Sequence, residues 1–112
     1  MIVRSAVLEG VVAEADREAF DQQMKDAVLP AIATYPGLSE VRLRRPVDNE
    51  PGAPPVYMVF DLYFETLEAM HAALASPVRG LVREQIGKAM AAFEGKVYHL
   101  VLEEGPVVRG TR

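Results

Sequence analysis

Asp61 lies in the segment Val56–Phe64 (VYMVFDLYF), where every other side chain is apolar or aromatic. A carboxylate in such a run must be paired, hydrogen-bonded or raised in pKa. Strand alternation puts Tyr57, Val59, Asp61 and Tyr63 on one face, so a carboxylate and two phenols can converge on one cavity. That set suits abstraction of a proton next to a carbonyl or phenol. The other reading has Asp61 capping the following helix or pairing with an arginine such as Arg4 or Arg42, and the residues alone leave both open. His99, between Tyr98 and Leu100, is a candidate proton shuttle if it faces a pocket, because an imidazole titrates near neutral pH. Otherwise it is a hydrogen-bonded histidine inside the domain or at its rim. Asp61 and His99 are thus the candidate catalytic residues. His71, one residue off a helical stripe, reads as a boundary residue.

Other chemistries lack their parts. Zinc and non-haem iron need about three protein ligands at fixed geometry, and the chain has two histidines on different segments and no cysteine. No metal and no cofactor are expected. No glycine-rich phosphate loop follows a strand, and no nucleophile elbow is present. Arg42, Arg44 and Arg45 can steer an organic anion, but three arginines at a strand end also serve to keep an edge solvated. Met24, Met58, Met70 and Met90 read first as core filler.

Which elements hold these residues follows from the hydrophobic period. Ile2–Glu9 has strand-like apolar density and ends near Gly10. Across 16–35 the period changes: Phe20, Met24, Ala27, Val28, Ala31 and Ile32 form one helical stripe. Asp16 is a cap or first-turn acid, Pro30 should kink the helix or restart it a turn later, and Pro36-Gly37 ends it. Leu38–Arg45 alternates as a strand with one wetter face, the proline-rich stretch 46–55 is a hairpin connection, and Val56–Phe64 is a central strand covered on both faces. Thr66 caps a helix carrying Leu67, Met70 and Leu74. Ser76-Pro77 then starts a second helix, whose stripe of Val78, Leu81, Val82, Ile86, Ala89, Met90 and Phe93 is closed by Gly95. Val97–Glu103 is the last strand.

The order βαββαβ, with the second helix split in two, is a ferredoxin-like α+β fold: a four-stranded antiparallel sheet, first and third strands central, helices on one face. A single domain is expected over residues 1–104, with 105–112 as a tail. The uncovered sheet face is too apolar for water, which argues for a homodimer with two sheets face to face. At 112 residues, half of them hydrophobic, the chain supports one compact core. A net charge of −4 with mixed signs argues against nucleic acid or an anionic membrane as partner. No apolar run approaches the roughly 20 residues of a membrane helix. With no leader pattern either, a cytoplasmic protein is expected.

Several segments also resemble the EthD family of dimeric α/β-barrel proteins. Phe20–Leu38 (FDQQMKDAVLPAIATYPGL) matches that family's Phe-Asp, His-x-Pro and Pro-Gly spacing, with Val28 at the histidine position. Phe64–Pro77 (FETLEAMHAALASP) and Phe93–Glu104 (FEGKVYHLVLEE) are similar to its later segments. The Pro-Gly turn and Ala-Ser-Pro segment are shared with the antibiotic-biosynthesis monooxygenase group, whose usual histidine falls here at Ala73. The resemblance implies a homodimeric α/β barrel; taken with the strand and helix patterns, the leading expectation is a protein that binds a small, largely apolar organic molecule between helices and sheet, with Tyr57, Tyr63, Met24 and Val28 as candidate substrate contacts. Its activity would be cofactor-independent oxidation or isomerisation in catabolism or secondary metabolism. The alternative is a non-catalytic binding or accessory module with a vestigial pocket, which Val28 favours.

Overall fold

In the computed structural model, residues 1–111 are described; Arg112, the end of the expected tail, lies outside the described residues. Four strands, β1 (Ile2–Val12), β2 (Leu38–Arg44), β3 (Val56–Phe64) and β4 (Phe93–Glu103), form one antiparallel sheet in the order β2-β3-β1-β4. The first and third strands are central, as the crossover rule requires, and the fold is ferredoxin-like α+β. Helices α1 (Glu14–Gln23), α2 (Leu29–Ile32), α3 (Leu67–Ala75) and α4 (Val78–Ala89) pack on one sheet face. Among the described residues no helix is long and apolar enough to cross a membrane.

The core lies between sheet and helices. Leu8, Met58, Phe60, Leu62 and Phe64 from the strands meet Phe20, Met24, Val28, Ile32, Met70 and Val82 from the helical layer. Burying each large apolar side chain stabilises the fold by roughly 1.5–3 kcal/mol. This face sets the phase of each strand: in β1, Arg4, Ala6 and Leu8 point to the helices, and Val3, Ser5 and Val7 point away.

Two elements run further than their periodicity indicates. β1 continues through Gly10 to Val12, and β4 begins at Phe93. The reason is a close approach in which Gly10 pairs with Gly95 and a Cβ on either would collide with the facing strand's backbone. Gly95 therefore serves the sheet; α4 has already ended in a short tight turn over Met90–Ala92. Pro30 acts upstream of itself. The helix neither breaks nor restarts after it, but widens into a single π turn over Met24–Val28, with the Leu29 N–H bonded to the Met24 carbonyl. A proline ring crowds the carbonyl four residues back, and an extra residue in the preceding turn relieves that crowding.

Helix starts follow their side chains. Thr66 Oγ1 accepts from the Ala69 N–H at 3.1 Å, as expected of an N-cap. Ser76 does not cap α4; its hydroxyl turns back and donates to the Ala73 carbonyl at 2.6 Å, closing α3 instead. Asp16 is a first-turn acid of α1, whose N-cap is Ala13.

Candidate functional site

The two faces of the sheet separate the candidate residues. On the face away from the helices, Asp61 is only 6% exposed. It accepts from Ser5 Oγ at 2.6 Å and pairs with Arg44 Nε at 2.5 Å. Arg44 also donates to the Tyr63 hydroxyl at 3.2 Å, and the Arg42 guanidinium lies over the Tyr63 ring. The carboxylate is therefore fully engaged in tying β1, β2 and β3 together. Its arginine is Arg44, on the adjacent edge strand, because Arg4 faces the opposite side of β1 and Arg42 is held by Glu40 at 3.1 Å.

Tyr57 does not share that face. Pairing of β1 with β3 shifts by one residue between Leu8 and Glu9, so Tyr57 is bulged out of the ladder and swings to the helical side. There it meets Phe20 edge-on at 5.4 Å and donates to Asp21 Oδ1 at 2.6 Å. Arg45 closes the group, pairing with Asp21 at 3.0 Å and lying over the Tyr57 ring. Burial and then the Asp21 carboxylate push the Tyr57 phenol up. The Phe20-Asp21 pair thus serves the fold, since one side chain fills the core and the other anchors α1 to β3.

The cavity lies elsewhere, between the sheet and α4, with a volume of about 430 Å³. Its floor is built from Ala6 and Leu8 of β1, Phe60 and Leu62 of β3, and Val97 of β4. Met24, Ile32, Val82, Ile86 and Met90 form the helical wall. Among largely apolar surfaces, five polar side chains reach it: Arg4, Tyr35, Arg79, Arg83 and His99. Tyr35 is largely buried just past the end of α2 and lines the cavity. Burial raises its pKa, opposed by Arg79, Arg4 and Arg83. His99 is open to solvent on one side and faces the cavity on the other. Loss of water there, then Arg4 and Arg79, hold its pKa below the ordinary value.

Of the candidate catalytic and substrate-contact residues, His99 and Met24 line the cavity, as do Met90 and Arg4, which were read as core filler and as a possible partner of Asp61. Val28 is fully buried in the packing between helices and sheet, and Asp61, Tyr57 and Tyr63 contribute nothing to the cavity wall. Sequence reasoning missed Tyr35, Arg79 and Arg83, and gave Arg4 a different partner. Their signal was phase: Arg4 is in register with Ile2, Ala6 and Leu8, and Arg79 and Arg83 flank the Val82–Ile86 stripe. Among the described residues no cluster of three or more ligating side chains could hold a metal ion.

No family model matches this chain, and no curated protein matches it in sequence. Solved structures match its fold. An ethyl tert-butyl ether d (EthD) family protein from Bacillus halodurans superposes with a TM-score of 0.71 at 21% identity, over 94% of this chain and 100% of its own. A dimeric protein of unknown function and ferredoxin-like fold from Bacteroides fragilis gives 0.65 at 12%, over 92% and 95%. A candidate antibiotic biosynthesis monooxygenase from Deinococcus radiodurans gives 0.63 at 18%, over 99% of both chains. The EthD-like resemblance carried by the sequence segments is thus matched at the level of fold.

Proposed function

We infer that this chain, which has the ferredoxin-like fold of EthD-type proteins, binds a small organic molecule with a largely apolar body in the cavity between sheet and α4. The observation that carries this reading is the cavity itself. Apolar walls enclose it and a few polar groups converge on it, the usual composition of a small-molecule site. A homodimer is part of the same reading. The outer sheet face exposes Tyr98, Leu100 and Leu102 of β4, the last two nearly half exposed, beside Val3 and Val7 of β1, which are already largely covered within the chain, and Val59 of β3. A face of that kind favours association, and similar structures from Bacteroides fragilis and Jannaschia are described as dimeric. The exposed apolar part lies on β4; β3 contributes Val59 and the Asp61 network.

Proton transfer, if the site is catalytic, falls to Tyr35 and His99, which face the cavity. Proton abstraction beside a phenol or carbonyl is a step that an acid–base pair of this kind can perform. A second reading, a binding module without turnover, is favoured by Val28, which fills with packed methyl groups the position where the EthD-like pattern has a histidine.

Titration with 2-naphthalenemethanol, a neutral aromatic of suitable size, tests the cavity. Gly87→Phe makes the test specific, because Gly87 lines the cavity, a Cβ there meets open space, and glycine is a poor helix former. Binding should weaken by about tenfold or more while stability holds. Unchanged binding in a folded Gly87→Phe protein would place the ligand outside the cavity.

A further inference from the structure

Three guanidinium groups border the cavity, and among the described residues none of them has a carboxylate partner. Arg4 stands on the helix-facing side of a central strand, between Ile2 and Ala6, where an apolar side chain is the rule. Arg79 and Arg83 stand one turn apart on α4, next to Val82 and Ile86 on the wall that faces the sheet. The ion pairs of the described residues are Arg42 with Glu40, Arg44 with Asp61, Arg45 with Asp21, Lys88 with Glu84 and Lys96 with Glu9. The chain as a whole is acidic, with a net charge of −4, yet its cavity collects cations and no anion. Withdrawing cations from water without a counter-charge is costly, and a site built this way is complete only when an anion occupies it.

We propose that the ligand is an organic carboxylate, with an apolar body along Leu8, Phe60 and Ile86 and a head group taken by Arg4 and Arg79, to which the Tyr35 hydroxyl also donates. This rests on the reading of the cavity as the ligand site. The guanidinium fork matches a carboxylate in two parallel hydrogen bonds. Arg83, more exposed, stands at the mouth, where it attracts the anion on approach. The same surroundings act on Arg4: burial first and the neighbouring Arg79 second hold its pKa below the ordinary value, Tyr35 opposes them, and no carboxylate contributes. Burial is also the leading effect on Tyr35, which stays protonated and able to donate.

Calorimetric titration of the intact chain with 2-naphthoate and with 2-naphthalenemethanol, at one ionic strength, separates this proposal from the reading beneath it. Naphthoate should bind about tenfold or more tightly than the alcohol, the difference made by charge-assisted hydrogen bonds. Arg4→Gln and Arg79→Gln should each remove most of that advantage, lowering the affinity for naphthoate far more than that for the alcohol. Arg45→Gln, outside the cavity, should alter neither. Equal affinities for the two probes, or an advantage that survives both substitutions, would overturn the carboxylate proposal and leave a neutral-ligand cavity standing. Failure of both probes to bind would overturn the cavity reading as well. Should the arginine variants fail to fold, the comparison of the two probes on the unmodified chain still decides.

Discussion

Replacing Asp61 by asparagine should weaken the fold and spare the cavity. The carboxylate is 6% exposed and accepts a 2.6 Å hydrogen bond from Ser5 across the β1–β3 ladder. Asparagine keeps an acceptor for Ser5 but loses the charge and turns amide donors toward Arg44. A hydrogen bond to a charged group contributes about 1.5–3 kcal/mol, and an unmatched buried donor costs about 1–3 kcal/mol. Because Arg44 is largely exposed, water screens its share, and we expect a net loss of about 2 kcal/mol from these terms together. Ser5→Ala should cost about 1 kcal/mol, and the double variant less than the sum of the two, because both act on one bond. Urea unfolding at a fixed protein concentration measures all three, with sedimentation run alongside, since dimer formation would shift apparent stability. Binding of 2-naphthalenemethanol should not change, because Asp61 lies on the opposite face of the sheet. An Asp61→Asn protein of unaltered stability that no longer binds the probe would refute the reasoning and restore this carboxylate as a site residue.

Light scattering at micromolar concentration should report twice 12.3 kDa, and Leu100→Lys on the open face should shift the mass to that of one chain; a monomer in the unmodified protein would remove the face-to-face sheet arrangement. Gly10→Ala should cost several kcal/mol, on the order of a severe overpacking change, because its Cβ meets the backbone of β4 at Glu94 and Gly95 as well as the Phe93 ring; an unchanged urea midpoint would contradict the close approach. His99 should titrate below 6.5 by NMR. A histidine whose folded pKa is lowered contributes stability that is fully present above the unfolded value. That contribution is lost as pH falls through the window between the unfolded and folded pKa values, where the unfolded chain binds more protons. His99→Asn should flatten that acid-side slope, and 2-naphthoate, by neutralising Arg4 and Arg79, should move the His99 titration upward.

Much of the fold was legible because its signals are local. Val56–Phe64 declares itself as a central strand by being apolar on both alternating sets, and Thr66 starts α3 through a side chain that needs no distant partner. The strand order follows from chain connectivity and handedness. What stayed hidden depends on pairs of segments. Tyr57 is moved to the other face by a register shift that involves Leu8 and Glu9, more than forty residues away along the chain. Gly95 reads as a helix stop until Gly10 lies opposite it. Ser76 could serve either neighbouring helix, and only the backbone between them chooses α3. The burial of Asp61 follows from its neighbours Phe60 and Leu62, whereas its partners Ser5 and Arg44 come from two other strands. The cationic lining of the cavity is legible in hindsight from the phase of Arg4 in β1, but Tyr35, at a helix end, carries no periodic signal.

The cavity as the ligand site is tested most directly by side-chain NMR, on methyl, aromatic and imidazole signals, of the labelled protein titrated with 2-naphthalenemethanol. With the ligand in the cavity, saturable shifts of side-chain signals should concentrate at Ala6, Phe60, Val82, Ile86 and His99, around its walls, and be far smaller at Val3, Val7 and Tyr63, whose side chains lie across the sheet. Shifts confined to the outer face, or spread without saturation over exposed apolar residues such as Leu100 and Leu102, would contradict that placement.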